Sequence, residues 1–308
     1  MARVIVTGGA GFIGSHLVDA LIKRGDSVLV IDNLSTGKRK NINPEAEFVK
    51  CDIRDGRTLK AKLGRRKCDY LFHCAALPRV RYSFKNPKET HDVNVGGTLN
   101  IIGLAVRMEV RRLIYSSSSS IYGNQPQMPL KEDMFVYPLS PYASQKFFAE
   151  QYCHFCCGPD QDNRLNGAVC LRYFNVYGSR QSDEGDYASV IGRFLKARKT
   201  YTAGQIYGDG EQKRDFTHVG DVVRANILAM KSSSIGFGEV INVCNGKSHS
   251  VNQVSRMIGG SYERKPPQPG DIRESLGDNA KAHRLLGWEP TVTLESGIAE
   301  LRKINGLD

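Results

Sequence analysis

The chain has 308 residues, of which 40% are hydrophobic and 24% charged, the balance of a globular domain in water. No run approaches the ~18 unbroken apolar residues of a membrane span, and strand-forming residues begin almost at Met1, so neither membrane anchor nor signal peptide is expected and a cytoplasmic location is. Forty-three basic against 32 acidic residues give +11, which suits anionic partners. The basic residues are dispersed, with short clusters only at Lys38-Arg39-Lys40 and Arg65-Arg66-Lys67, which speaks for phosphate-bearing small molecules and against nucleic acid. Eight cysteines are too dilute for a disulfide scaffold. Cys153, Cys156 and Cys157 lie in a helical pattern where the adjacent His154 points away, so buried thiols are expected there and no metal site.

The first element is a strand, Val4-Ile5-Val6, followed by Gly8, Gly11 and Gly14 at G-x-x-G-x-x-G spacing and a helix from Ser15 to Lys23. Gly8 permits a tight turn, Gly11 lets the backbone approach a pyrophosphate, and Gly14 lets helix and strand pack closely. The free N–H groups and partial positive charge of the helix start then face the phosphates. A second buried-type strand, Ser27 to Ile31, ends in Asp32, 18 residues past Gly14, where a carboxylate accepts hydrogen bonds from an adenosine ribose. The same carboxylate repels a 2′-phosphate, which points to NAD over NADP; the competing local role is a turn or cap before Asn33.

A polar loop follows from Asn33 to Lys40, then a third strand, Glu47 to Cys51, ending in Asp52-Ile53, with Asp52 placed to reach the adenine. Asp69 to Cys74 is the fourth strand, and the small pair Ala75-Ala76 after it lets a cofactor pass close. His73, inside that apolar strand, reads as a packed core residue ahead of a base. Arg79 and Arg81 read as exposed loop arginines ahead of ligand contacts. One helix is expected from about Pro87 to Met108, carrying Asn94, and a fifth strand at Arg111 to Tyr115. This alternation predicts an α/β fold, a Rossmann-type doubly wound parallel sheet covered on both faces.

The fifth strand runs into Ser116 to Ser120, and 24 residues past Ser118 stands Tyr142, in Ser140-Pro141-Tyr142-Ala143-Ser144-Gln145-Lys146. Ser140-Pro141 can start a helix, and Tyr142 and Lys146 then share one face. A free tyrosine, with a pKa of about 10, is a poor base at neutral pH. A lysine ammonium and a positive nicotinamide ring lower it, and Ser118 can hold the same substrate oxygen.

These residues resemble the extended short-chain dehydrogenase/reductases, in the nucleotide-sugar epimerase and dehydratase group. The likeness covers nearly the whole chain: TGGAGFIGSH at 7–16, DNLSTG at 32–37, SSSSSIYG at 116–123, SPYASQK at 140–146, LRYFNVYG at 171–178, GDGEQKRDFTHVGD at 208–221 and GDIRESLGDNAKAHRLLGW at 270–288. The resemblance implies tightly held NAD, Tyr142 as base, Lys146 as its partner and Ser118 as the assisting hydroxyl. It implies cofactor contacts at Phe12, Ile13, Asp32, Asn33, Leu34, Ser35, Thr36, Gly37, Asp52, Ile53, Cys74, Ala75, Ala76, Leu77, Pro78, Asn94, Ser116 and Phe174, besides the glycines. It implies an NAD-binding domain at 1–172 with a return segment about 213–245, and a smaller C-terminal α/β lobe for the nucleotide sugar at 173–212 and 246–308. Asn175 and Arg214 are implied at the nucleotide diphosphate and Asp271 among the substrate-binding residues, with 208–210 and 187–194 as walls. Asp221 is expected to cap a helix. A homodimer through the helices of Asn94 and Tyr142 is implied by analogy.

Related dehydratases carry Asp-Glu, and UDP-glucuronate decarboxylases a Glu, where this chain has Ser119 and Ser120, so the resemblance implies a 4-epimerase working through a transient 4-keto sugar. Ser275 stands where enzymes restricted to non-acetylated sugars resemble one another in a bulky tyrosine, which implies interconversion of UDP-GlcNAc and UDP-GalNAc with UDP-Glc and UDP-Gal as a second pair. One departure is Gln268 in place of a diphosphate-gripping arginine, for which Arg264, Lys265 or Arg273 could compensate. Another nucleotide-sugar reductase, dehydratase or epimerase and a non-catalytic NAD-binding regulator stay open as alternatives at this level.

Overall fold

The computed structural model describes residues 1–63, 66–157, 165–183, 188–267 and 272–307. Seven parallel strands form the central sheet: β1 (Arg3–Thr7), β2 (Ser27–Asp32), β3 (Glu47–Lys50), β4 (Tyr70–His73), β5 (Arg112–Ser118), β6 (Ala168–Tyr173) and β9 (Phe237–Val243). Their order is β3-β2-β1-β4-β5-β6-β9. The reversal of direction falls beside β1, so the crevice between the carboxyl ends of β1 and β4 is the place where a doubly wound sheet takes a ligand.

The apolar strands are buried on both faces because successive side chains point to opposite sides. Val4, Val6, Val28 and Val30 belong to one core, with α1 (Phe12–Lys23) and α8 (Val219–Lys231). Ile5, Leu29 and Ile31 belong to the other, with α2 (Gly56–Leu63), α5 (Thr98–Arg107) and α6 (Pro141–Phe155). The first helix begins at Phe12, three residues before the expected Ser15, because Gly11 serves as its N-cap. The single helix expected from Pro87 to Met108 is three pieces, α4 (Pro87–His91), a π-helical turn (Asp92–Gly97) and α5. A β-carbon on Gly97 would lie 2.5 Å from Ile53, so the π turn brings the helix down onto the loop after β3. Before α4 comes a short helix, α3 (Val80–Lys85).

The rest forms a second layer. β7 (Gly204–Tyr207) pairs with β11 (Tyr262–Lys265), and β8 (Lys213–Asp215) lies between β10 (Ser248–Ser250) and β12 (Glu274–Ser275). Against them pack α7 (Val190–Lys199), α9 (Val251–Ile258) and α11 (Leu294–Ile304), through Phe194, Val254 and Ile298. The layers interleave along the chain: β8 sits in the small sheet, α8 and β9 return to the large one, and α10 (Ala280–Leu286) packs Ala282 and Leu286 into the first core. Asp221, expected to cap α8, is replaced in that role by the His218 side chain. Its carboxylate accepts from the N–H groups of Thr291 and Val292, tying the C-terminal segment to α8. Among the described residues no helix is long and apolar enough to cross a membrane.

Candidate active site

The glycine turn is shaped by contacts that a side chain would block. Gly8 adopts φ +71°, and a β-carbon there would lie 2.6 Å from the Ala75 nitrogen across the crevice; at Gly14 it would collide with the Gly8 carbonyl oxygen. Gly11 differs, since its β-carbon would meet only that carbonyl oxygen, at 3.1 Å, and otherwise fill open space. As N-cap of α1, Gly11 brings no capping side chain, and the first turn holds no acidic residue. The helix start therefore keeps N–H groups and positive dipole for an outside anion, and this open cradle fits a dinucleotide pyrophosphate.

Asp32 ends β2 next to that cradle, its carboxylate accepting from the N–H groups of Ala10 (3.0 Å) and Leu34 (2.7 Å). Burial pushes the carboxyl up, against the pull of those two bonds. The local turn role weighed for Asp32 is thus realised, and the carboxylate still stands at the strand end beside Gly37. Arg54 and Asn33 engage the Asp52 carboxylate, at 2.8 Å each, and the guanidinium holds it down to about 2. Ser35 and Thr36 are exposed in the same loop, Phe12 and Ile13 half-buried, and Ile53 buried. Beyond β4, Cys74, Ala75 and Ala76 are half-buried, Leu77 buried and Pro78 exposed. Asn94, on the π turn, grips that loop: it accepts from the Leu77 N–H (2.8 Å) and donates to the Leu77 carbonyl (3.2 Å) and Gln145 (2.9 Å). Its side chain therefore positions the loop. Phe174 is fully buried, 6.2 Å ring to ring from Tyr122.

His73 is fully buried between Thr7 (2.7 Å) and Thr98 (3.0 Å), and burial pushes it down to about 3. The Thr98 hydroxyl donates to the Asn94 carbonyl, so the hydrogen-bond pattern assigns the imidazole proton to Nε2. This is a neutral core histidine.

The end of β5 and the first turns of α6 bring Ser118, Tyr142 and Lys146 together. Ser140 caps α6 by accepting from the Ala143 N–H, with Pro141 as the first helical residue. The Ser118 side chain stands close enough to the Tyr142 hydroxyl to act on its proton. Ser118 donates to the Ser120 hydroxyl at 2.9 Å. Lys146 donates to the Ser116 carbonyl at 2.7 Å, with Nζ 6.0 Å from the centre of the Tyr142 ring. Burial pushes Tyr142 above its usual value, opposed by the nearby Ser118 side chain and by the charge of Arg79.

Lys146 is itself pushed down to about 8 by burial, from an ordinary 10.5. Between those values the unfolded chain binds more protons than the folded one, so without dinucleotide stability is expected to rise as pH climbs from 8 to 10.5. Denaturant titrations of Lys146→Met should show that rise flattened, by up to about 3 kcal/mol.

Beyond this cluster opens a cavity of about 330 Å³ whose walls include Asn175, Arg214, Arg79, Arg81, Arg193 and Tyr207. Asn175 adopts φ +30° and donates to the Asp215 carbonyl at 2.9 Å. The Asp215 carboxylate turns away from Arg214 to accept from the Asn245 (2.7 Å) and Gly246 (2.9 Å) N–H groups. Of the expected walls, 208–210 gives way to its neighbours Tyr207 and Gln212, and 187–194 contributes Ser189 to Ile191 and Arg193. Asp271, Gln268 and Tyr187 lie outside the described residues. The compensating cations do not line the cavity: Arg264 donates to the Gly208 carbonyl, Lys265 pairs with Glu263 and Arg273 with Asp209. Arg79, Arg81 and Arg193 take that place; Arg81 is exposed as expected, on α3 and not in a loop, while Arg79 is half-buried. Arg193 is open to solvent yet crowded inside the concavity, and burial and Arg81 both push its guanidinium down. Ser275 is buried, in register with Arg214. Among the described residues no His, Cys, Asp or Glu cluster could hold a metal ion.

A seven-stranded Rossmann sheet with a glycine cradle, and a Ser, Tyr and Lys cluster at the strand ends, defines the fold of the extended short-chain dehydrogenase/reductases. Residues 4–244 match the model of the NAD dependent epimerase/dehydratase family. The chain is 38% identical over 312 residues to the UDP-glucose 4-epimerase of Mycolicibacterium smegmatis, covering 97% of this chain and 96% of that one. Its fold is similar to the Thermotoga maritima UDP-glucose 4-epimerase with UDP-glucose, at TM-score 0.91 and 38% identity, over 98% of this chain and 99% of that one. It is also similar to a UDP-N-acetylglucosamine 4-epimerase from Methanobrevibacter ruminantium M1 in complex with UDP-N-acetylmuramic acid, at TM-score 0.89 and 37% identity, over 98% and 97% of the two chains. This chain belongs to the NAD-dependent epimerase/dehydratase family, and NAD is its cofactor.

Proposed function

We propose that the chain is a UDP-hexose 4-epimerase that interconverts UDP-GlcNAc and UDP-GalNAc, with UDP-Glc and UDP-Gal as a second pair. The observation that carries this reading is the meeting of Ser118, Tyr142 and Lys146 beside an arginine-lined cavity, with only hydroxyls at Ser119 and Ser120. Dehydration needs an additional acid and base, and those side chains supply neither. Tyr142 takes the proton of the sugar 4′-hydroxyl and returns it, Ser118 holds the same oxygen, and Lys146 fixes the strand end through the Ser116 carbonyl. NAD, when bound, supplies the hydride acceptor and donor for C4. Gly8, Gly11 and Gly14 with the start of α1 hold its pyrophosphate, Asp32 its ribose, and the half-buried 74–76 loop passes along it.

The small Ser275 side chain supports acceptance of a 2-acetamido group. Incubating the purified protein with UDP-GlcNAc and no added cofactor should yield UDP-GalNAc; turnover of UDP-Glc alone would reject the acetylated pair. Ser275→Tyr is expected to lower kcat/KM for UDP-GlcNAc by about tenfold or more relative to UDP-Glc. The exposed Phe148, Tyr152 and Phe155, at i, i+4 and i+7 on α6, and Leu99 on α5 support a homodimer through these helices. The proposed domain division gives 1–172 with a return segment about 213–245 to NAD, and 173–212 with 246–308 to the nucleotide sugar.

A further inference from the structure

The loop after β4 lies directly on the glycine turn, where a β-carbon on Gly8 would come within 2.6 Å of the Ala75 nitrogen. It is held at two points. The near one is local to the sheet: the Ala75 N–H donates to the Thr7 hydroxyl at 3.3 Å. The far one is Leu77, whose N–H and carbonyl both bond to the Asn94 side chain. That grip works in one orientation of the Asn94 amide only, because a flipped amide would set its NH2 against the Leu77 N–H.

Gln145 decides the orientation. Next to Lys146 on α6, its Oε1 accepts the second Nδ2 hydrogen of Asn94 at 2.9 Å. Its own amide is locked in turn, with Nε2 donating to the Thr90 hydroxyl at 3.0 Å and to the Pro87 carbonyl at 3.4 Å. The Thr90 hydroxyl spends its single hydrogen on the Asn86 and Pro87 carbonyls, so towards Gln145 it can only accept. Thr90, Asn94 and Gln145 are all buried, and none can turn to water for a substitute partner. Order therefore passes from the start of α4 through α6 to the loop after β4: Pro87 and Thr90 fix Gln145, Gln145 fixes Asn94, and Asn94 fixes Leu77. None of these residues lines the cavity of Arg214.

We propose that Gln145 is a positioning residue for NAD, holding the far end of the loop after β4 in place for the dinucleotide through Asn94. This rests on the cofactor alone, so it stands whichever sugar is epimerised. Gln145→Met keeps the length of the side chain and removes both polar ends, which orphans an Asn94 N–H in the interior. The test follows NAD release from the purified holoenzyme, with UDP affinity by calorimetry at saturating NAD as the control. Release is expected to quicken about tenfold in Gln145→Met, while the UDP Kd stays within about twofold of the wild type. Gln145→Glu, measured at about pH 6, is the conservative rescue: burial favours its protonated form, which can accept from Asn94 and donate to Thr90, so release should fall back most of the way to the wild-type rate. Wild-type release in Gln145→Met, UDP affinity lost in step with NAD, or a Gln145→Glu variant as fast as Gln145→Met overturns the proposal. Should the methionine variant fail to fold, the isosteric Thr90→Val decides, because it unlocks Gln145 from behind: release quickened about threefold supports the proposal and release at the wild-type rate overturns it.

Discussion

Tyr142→Phe is expected to lower kcat for UDP-sugar epimerisation by a factor on the order of 10³, with the fold and UDP binding retained. The ring is buried and shape is conserved in the exchange, so packing on α3 and α6 stays. What disappears is the single oxygen that bonds to Ser118 and that can exchange a proton with the sugar 4′-hydroxyl. A phenol is protonated at neutral pH even in water and burial reinforces this, so its work as a base depends on nearby positive charge, to which Arg79 contributes. Coupled assays of epimerisation, alongside thermal melts and UDP titration, test this. A kcat within tenfold of the wild type would show that another group moves the proton and would end the proposed role.

Much of this site was legible in the sequence because its geometry is local. The G-x-x-G-x-x-G spacing fixes a turn, Ser140-Pro141 starts a helix, and four residues on a helix put Tyr142 and Lys146 on one face. What could not be read depends on contacts between distant segments. Asp52 at the end of β3 could be placed from the sequence, but not the hold on its carboxylate by Arg54 two residues away and Asn33 nineteen away. Arg79 and Arg81, at the start of α3, and Arg193, on α7, stand more than a hundred residues apart, and only the packing of the two helices around one cavity brings them together. The break of the helix before α5 gave no warning either, since a π turn adds a residue without a proline or a gap in the apolar pattern. One missed group did leave a signal: Glu150 continues the spacing of Tyr142 and Lys146 by another four residues, on the buried face of α6.

Glu150 gives the second large effect. Its carboxylate, 1% exposed, accepts from Arg172 Nε (3.0 Å) and Nη2 (2.8 Å) and from the Ser117 hydroxyl (2.5 Å). Arg172, 3% exposed on β6, has its guanidinium 4.8 Å from the centre of the Tyr122 ring. Glu150→Ala strands that cation in the interior, and breaking a buried pair in this way costs about 3–5 kcal/mol. Against a total stability of roughly 5–15 kcal/mol, the variant should melt far below the wild type in urea. The loss arises from the orphaned charge more than from lost attraction, because both ions were desolvated to form the pair. Exchanging both partners for apolar side chains, Glu150→Leu with Arg172→Met, is therefore expected to recover most of the stability. Recovery of activity should be smaller, since Ser117 lies between Ser116, which holds Lys146, and Ser118, which meets Tyr142, and loses its anchor in either variant. A double variant as unstable as Glu150→Ala would mean that the pair's hydrogen bonds and shape, and not its charge balance, hold β5, β6 and α6 together.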